Sequence, residues 1–123
     1  MEVDHPQVLA EVSEAFGRYE DALKTNDVAV LNELFWDSPL TLRYGTGEVL
    51  YGHAEIAAYR GARNPATLAR VVTKTVVTSY GRDFATTNIE FTRAGRHGRQ
   101  SQSWARMPEG WRIVTAHVSY QDT

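Results

Sequence analysis

From Leu68 to Tyr120 the chain is strand-like almost without interruption, and that feature excludes most folds. Four segments, about Leu68–Tyr80, Phe84–Arg93, Arg99–Met107 and Trp111–Tyr120, are rich in Val, Thr and aromatic residues. Only Gly81-Arg82-Asp83, Gly95 to Gly98 and Pro108-Glu109-Gly110 separate them, and turns so short join antiparallel neighbours. A helical part comes first. Between Pro6 and about Lys24, Val8, Val12, Phe16, Tyr19 and Leu23 recur at three- and four-residue steps, with Pro6 at the first helical position. Asn26 or Asp27 then caps a short helix with Val28, Leu31, Leu34 and Phe35 inward, and Pro39 ends it. Thr41–Tyr44 and Glu48–Tyr51 form a small hairpin around Gly45-Thr46-Gly47. Gly52 opens a third helix, roughly Ala54 to Arg60, which Asn64-Pro65 stops. Helices followed by a meander predict an α+β fold over residues 1–123, with a strongly curved antiparallel sheet wrapped around the first helix. A pocket is expected at the open end.

Composition narrows the function classes. The chain has 123 residues, 42% of them hydrophobic, enough for one domain with a real core. No apolar run approaches the roughly 20 residues of a membrane span. Nor does the start, MEVDHPQ, resemble a secretory signal, and the expected location is cytoplasmic. Cysteine is absent, which removes disulfides, thiolate metal sites and Cys nucleophiles. His5, His53, His97 and His117 are scattered without ligand spacing, and no phosphate or dinucleotide loop occurs, so no metal or cofactor is expected. Arg93, Arg96 and Arg99 cluster around His97, but net charge is −2, and Arg96-His97-Gly98 reads as a solvated hairpin turn rather than a nucleic-acid contact.

Residues two apart on a strand share a face. On the last strand Trp111, Ile113, Thr115, His117 and Ser119 then lie together, opposite Arg112, Val114, Ala116, Val118 and Tyr120. On the strand before it Gln100, Gln102 and Trp104 share a face. Polar groups mixed with large aromatics on an enclosed sheet line a cavity. Val72, Val76 and Val118 are placed on the outer face, where a second subunit would pack as a homodimer. Arg43, on a short strand, is either a surface arginine or a bidentate grip for a carboxylate. Tyr19, in the apolar stripe of the first helix, is either a core tyrosine or an acid on the pocket floor. His117 and Ser119 splay side by side with no third orienting acid, which argues against a serine hydrolase. Glu90 is the one carboxylate available as an isomerase base, and its strand face points to solvent.

Longer runs then become recognisable. Phe16 to Leu23, Asn26-Asp27, Leu34-Phe35-Trp36, Arg43-Tyr44-Gly45, Gly98 to Trp104 and Gly110 to Ser119 together resemble the AtzH/HpxZ group. That group sits in the SnoaL-like, nuclear-transport-factor-like (cystatin-like) superfamily, and the resemblance implies that the curved sheet is cone-shaped. The resemblance implies a cofactor-free homodimer that hydrolyses a small anionic ureide, 1,3-dicarboxyurea to allophanate, in s-triazine and cyanuric acid nitrogen catabolism. It implies Tyr19 and Arg43 as the catalytic pair; on the strand faces read above, Gln102, His117 and Ser119 are then expected as substrate-binding groups for the urea carbonyl and the second carboxylate. The rival reading is an oxalurate-catabolism accessory or ligand-binding dimer without turnover.

Overall fold

Tyr19 is only 3% exposed because it belongs to the stripe of Val8, Val12, Phe16, Ala22 and Leu23 that helix α1 (Pro6–Thr25) turns inward. The computed structural model describes residues 1–121. Helix α1 ends at Asn26, whose left-handed backbone (φ 49°, ψ 51°) lets its N–H reach the last carbonyls. Asp27 then caps α2 (Val28–Leu34), its side chain accepting from the Val30 N–H. Strands β1 (Leu42–Tyr44) and β2 (Val49–Tyr51) form the expected hairpin, and α3 runs His53–Ala62. A 3₁₀ turn, Pro65–Thr67, leads into β3 (Val71–Tyr80), β4 (Phe84–Arg93), β5 (Arg96–Met107) and β6 (Gly110–Gln121).

One six-stranded sheet results, in the order β2-β1-β6-β5-β4-β3. All neighbours are antiparallel except β1 and β6, which run parallel with Arg43 opposite Ala116. That pairing carries the short first hairpin to the end of the meander, so Arg43 comes beside the strand most distant from it in sequence. Helix α1 packs on the concave face. The core joins its stripe to Leu31, Leu34, Phe35, Ile56, Phe91, Trp104 and Ile113, all buried.

Two expectations are corrected. The third turn is not Gly95 to Gly98 but Ala94-Gly95, both at positive φ (50° and 77°), a two-residue loop suited to the twist of the strands. Arg96 and His97 therefore pair in the ladder opposite Arg93 and Thr92. The other correction concerns Val118, which faces inward. Between Trp104↔Ile113 and Ser103↔Thr115 the register shifts by one residue. Such a bulge swaps the faces of everything beyond it. Trp111 and Ile113 are buried before it, Ala116 and Val118 after it. Val76 stays on the outside, 44% exposed.

Candidate functional site

The bulge decides which groups meet the cavity. On β6 it turns Val118 and Tyr120 inward and sends His117 and Ser119 to the convex face. There Tyr44 packs edge-on against His117, and Ser119 accepts from Arg99. Continuous alternation had placed both on the cavity face, so the substrate-binding role expected of them is corrected. Gln102 does face inward, but too deep to reach the cavity: it is 2% exposed, and its Oε1 accepts from Thr87 Oγ1 at 3.1 Å. Gln100, two residues nearer the open end on the same face, lines the cavity instead.

The cavity holds about 310 Å³ between α1, α3 and the sheet. Tyr19 and Leu23 enter from α1, Arg43 from β1 and Tyr59 from α3. Both residues of the expected catalytic pair thus meet in one space. Four guanidinium groups line it, those of Arg43, Arg63, Arg70 and Arg93, against one lining carboxylate, Glu48. Arg93 shares the inner face of β4 with Ile89 and Phe91, so it leaves the solvated cluster in which its sequence neighbours placed it.

Arg43 is 7% exposed, and its Nη1 donates to Glu48 Oε1 at 2.5 Å. Gly45 makes that approach possible, since a Cβ there would collide with the Glu48 carboxylate and stand 2.9 Å from Arg43 Nη1. The Arg-Tyr-Gly run is thus an arginine plus the space its partner needs. Arg43 and Arg63 both lie over the Tyr59 ring, at 5.3 and 5.6 Å from its centroid. Across the cavity Arg70 and Arg93 share Phe91 in the same way, at 4.8 and 5.3 Å. Arg70 donates to Glu20 at 2.7 Å and to Gln100 Oε1 at 3.2 Å. Arg93 donates to the Tyr120 hydroxyl and to the Leu68 carbonyl.

Burial and like charge shape the titration of this cluster. Burial pushes Arg60, beneath the cavity wall and 1% exposed, down to about 10, and repulsion from Arg43 and Arg63 adds to the effect while the Tyr19 phenol opposes it. Arg63 is lowered by burial too, with Arg43 contributing. Burial works against the Glu48 carboxylate, but the Arg43 guanidinium, the Gly47 N–H and the Tyr59 hydroxyl together outweigh it and hold its pKa below the ordinary 4.5. Glu20 shows the reverse, because burial outweighs Arg70 and raises it. Buried donors remain without an acceptor among the described residues: Nε of Arg63, Arg70 and Arg93, and Gln100 Nε2. Hydrogen-bond donors this dense, in a mutually repelling cationic group, suit an anion with several acceptor oxygens.

A pH test follows from Glu48. Its folded-state pKa is depressed, so the stability it contributes is present above about 4.5 and lost as pH falls through the folded value. Glu20, raised, has the opposite sign and loses its contribution as pH rises through its own folded value. Glu48→Gln is expected to lower stability at neutral pH by about 1–3 kcal/mol, because Arg43 is left buried beside a neutral partner. The deficit should shrink as the pH of parallel thermal melts falls below about 4.5. A deficit that stays constant with pH would show that Glu48 acts through packing.

Sequence reasoning missed Glu48, Tyr59, Arg63, Arg70 and Arg93 as lining groups; it put Gln100 on a cavity face but chose Gln102 from that face for the site. Strand parity held a signal for Arg93, two residues from Phe91, and helical spacing one for Tyr59 and Arg63. Nothing local marks Arg70.

The AtzH-like family model matches residues 1–123. A protein with unknown function from the DUF3225 family of Pectobacterium atrosepticum is 56% identical, covering 98% of this chain and 95% of that one, with a TM-score of 0.94. A cystatin-like fold protein from Burkholderia xenovorans is 46% identical over 100% of this chain and 98% of that one, also at 0.94. A nuclear transport factor 2 superfamily protein from Salmonella enterica is 26% identical, covering 95% of this chain and 93% of that one, at 0.78. No match was found among the curated proteins.

Proposed function

The chain belongs to the AtzH-like family, and on that premise we propose that it is a metal-independent hydrolase of a carboxylated urea, converting 1,3-dicarboxyurea to allophanate in s-triazine nitrogen catabolism. The observation that carries this reading is the meeting of Tyr19 and Arg43 in a cavity lined by four arginines and one carboxylate. The substrate is a dianion whose end groups are carboxylates attached to nitrogen. Its C–N bond breaks when the nitrogen is protonated: the bonding electron pair stays on nitrogen, and the carboxylate departs as carbon dioxide.

Each residue then has one task. Arg43 holds the reacting carboxylate in its planar fork, with the nitrogen turned toward α1. Because Glu48 already accepts from Arg43, the guanidinium orients this carboxylate without fully compensating it, which eases its loss of charge on becoming carbon dioxide. Tyr19 gives the proton as general acid, and solvent returns one to the phenolate. Arg63 lines the same cavity as Tyr19, and Arg60 lies over the Phe35 ring on which Tyr19 packs, so both place positive charge near the oxygen that gives up the proton.

The test is product release from freshly generated 1,3-dicarboxyurea, measured against the spontaneous rate for the native chain and for Arg43→Ala. Acceleration by the native chain that vanishes in the variant is the expected result. No acceleration at any protein concentration would overturn hydrolysis and leave the oxalurate-linked accessory role.

A further inference from the structure

We propose that the cavity is a two-ended clamp in which Arg70, Arg93 and Gln100 hold the second carboxylate of a short dicarboxylate, the one that survives the reaction. This inference rests on the carboxyurea reading and names the groups that select its substrate class. The argument starts from how the four arginines divide. Arg43 and Arg63 share the Tyr59 ring, while Arg70 and Arg93 share Phe91. Each pair has one member tied to a carboxylate, Arg43 to Glu48 and Arg70 to Glu20. The other member of each, Arg63 or Arg93, makes no ion pair among the described residues and donates only to neutral oxygens. Among the groups that line the cavity, one uncompensated positive charge therefore stands at each end, with Arg60 buried outside the lining on the Phe35 ring.

The donors point the same way. At the Phe91 end, Nε of Arg70, Nε of Arg93 and Nε2 of Gln100 are buried without an acceptor among the described residues. Gln100 Oε1 is engaged by Arg70, which fixes the amide and leaves its N–H groups for a ligand. Only β6 separates β1, which carries Arg43, from β5, which carries Gln100. Two strand spacings are about 10 Å of sheet, and side chains reaching inward from both strands leave a gap suited to a short chain. Tyr19 belongs to the Arg43 end, because its ring packs on Phe35 under Arg60, the neighbour in α3 of the Tyr59 that Arg43 and Arg63 share. Chemistry at that end removes the carboxylate held there, so the monoanionic product keeps a single grip and leaves more readily than the substrate binds.

Glutarate has the chain length of 1,3-dicarboxyurea and cannot react, and butyrate is its single-carboxylate counterpart. Calorimetric titration of the native chain should show glutarate binding about 10–100-fold more tightly than butyrate, the worth of one more set of charge-assisted hydrogen bonds. Arg63→Met and Arg93→Met break no ion pair and keep an apolar stem over the aromatic ring. In either variant glutarate should fall to the affinity of butyrate, and butyrate should still bind through the remaining end. Equal binding of the two ligands to the native chain would overturn the clamp. So would loss of both ligands in Arg63→Met with no change in Arg93→Met. Should Arg93→Met fail to fold, Gln100→Met tests the same end, with ligand-free melting as the control. The two readings fail separately. Glutarate preference without turnover of 1,3-dicarboxyurea overturns hydrolysis and keeps the clamp, whereas turnover without preference does the opposite.

Discussion

Tyr19→Phe is expected to leave a folded protein whose turnover of 1,3-dicarboxyurea is reduced about 10²–10⁴-fold, the usual worth of a positioned general acid. The substitution removes one oxygen and keeps the ring. That ring stacks on Phe16 at 6.2 Å and packs on Phe35 at 6.4 Å, contacts a phenyl group makes equally well. The thermal midpoint should therefore barely move. Carbon dioxide release and a melt on the same preparation separate lost chemistry from lost fold. Glutarate affinity should also persist, since the carboxylate grips are arginines. Undiminished turnover would remove Tyr19 from the reaction and turn attention to Tyr59 and Tyr120, the other phenols that line the cavity.

The largest loss of stability is expected from Trp104→Ala, about 3–5 kcal/mol. Trp104 is fully buried on the inner face of β5, beyond the cavity. Its Nε1 donates to Thr87 Oγ1 at 3.0 Å, and the same hydroxyl donates to Gln102 Oε1 at 3.1 Å. Removing the indole opens a large void and takes one member from a buried polar chain. Trp104 also stands at the register shift that turns Val118 and Tyr120 inward. A midpoint drop of about 12–20 °C is the corresponding thermal readout for a domain of this size. Below that midpoint kcat should change far less than in Tyr19→Phe, because Trp104 is not among the residues that line the cavity. A drop of only a few degrees would mean that the core closes over the void.

Much of this molecule was legible from local pattern. The stripe from Val8 to Leu23 specified α1 and put Tyr19 on its buried side, because helical spacing is a property of neighbouring residues. The turn chemistry after Tyr80 specified the meander, and Phe84–Arg93 formed over the residues expected of it. Arg43 and Tyr19 were the two site residues that pattern and family resemblance together singled out, and both line the cavity. Where reading stopped, the cause was long range. Strand parity holds only while the register holds, and the shift opposite Trp104 reversed the faces of His117, Val118 and Ser119.

The sequence by itself determined that this chain is an α+β domain with a long helix laid on an antiparallel sheet, since hydrophobic period and turn residues act over a few positions. Only the tertiary structure decided what the cavity contains. Arg43 lies on β1 and Arg93 on β4, while Arg63 and Arg70 stand at the two ends of the connection from α3 to β3, and nothing near any one of them specifies the whole group. Pairing β1 with β6 and curving the sheet brings them within reach of one ligand. Burial and mutual repulsion within that group of cations are what the proposed anion would relieve.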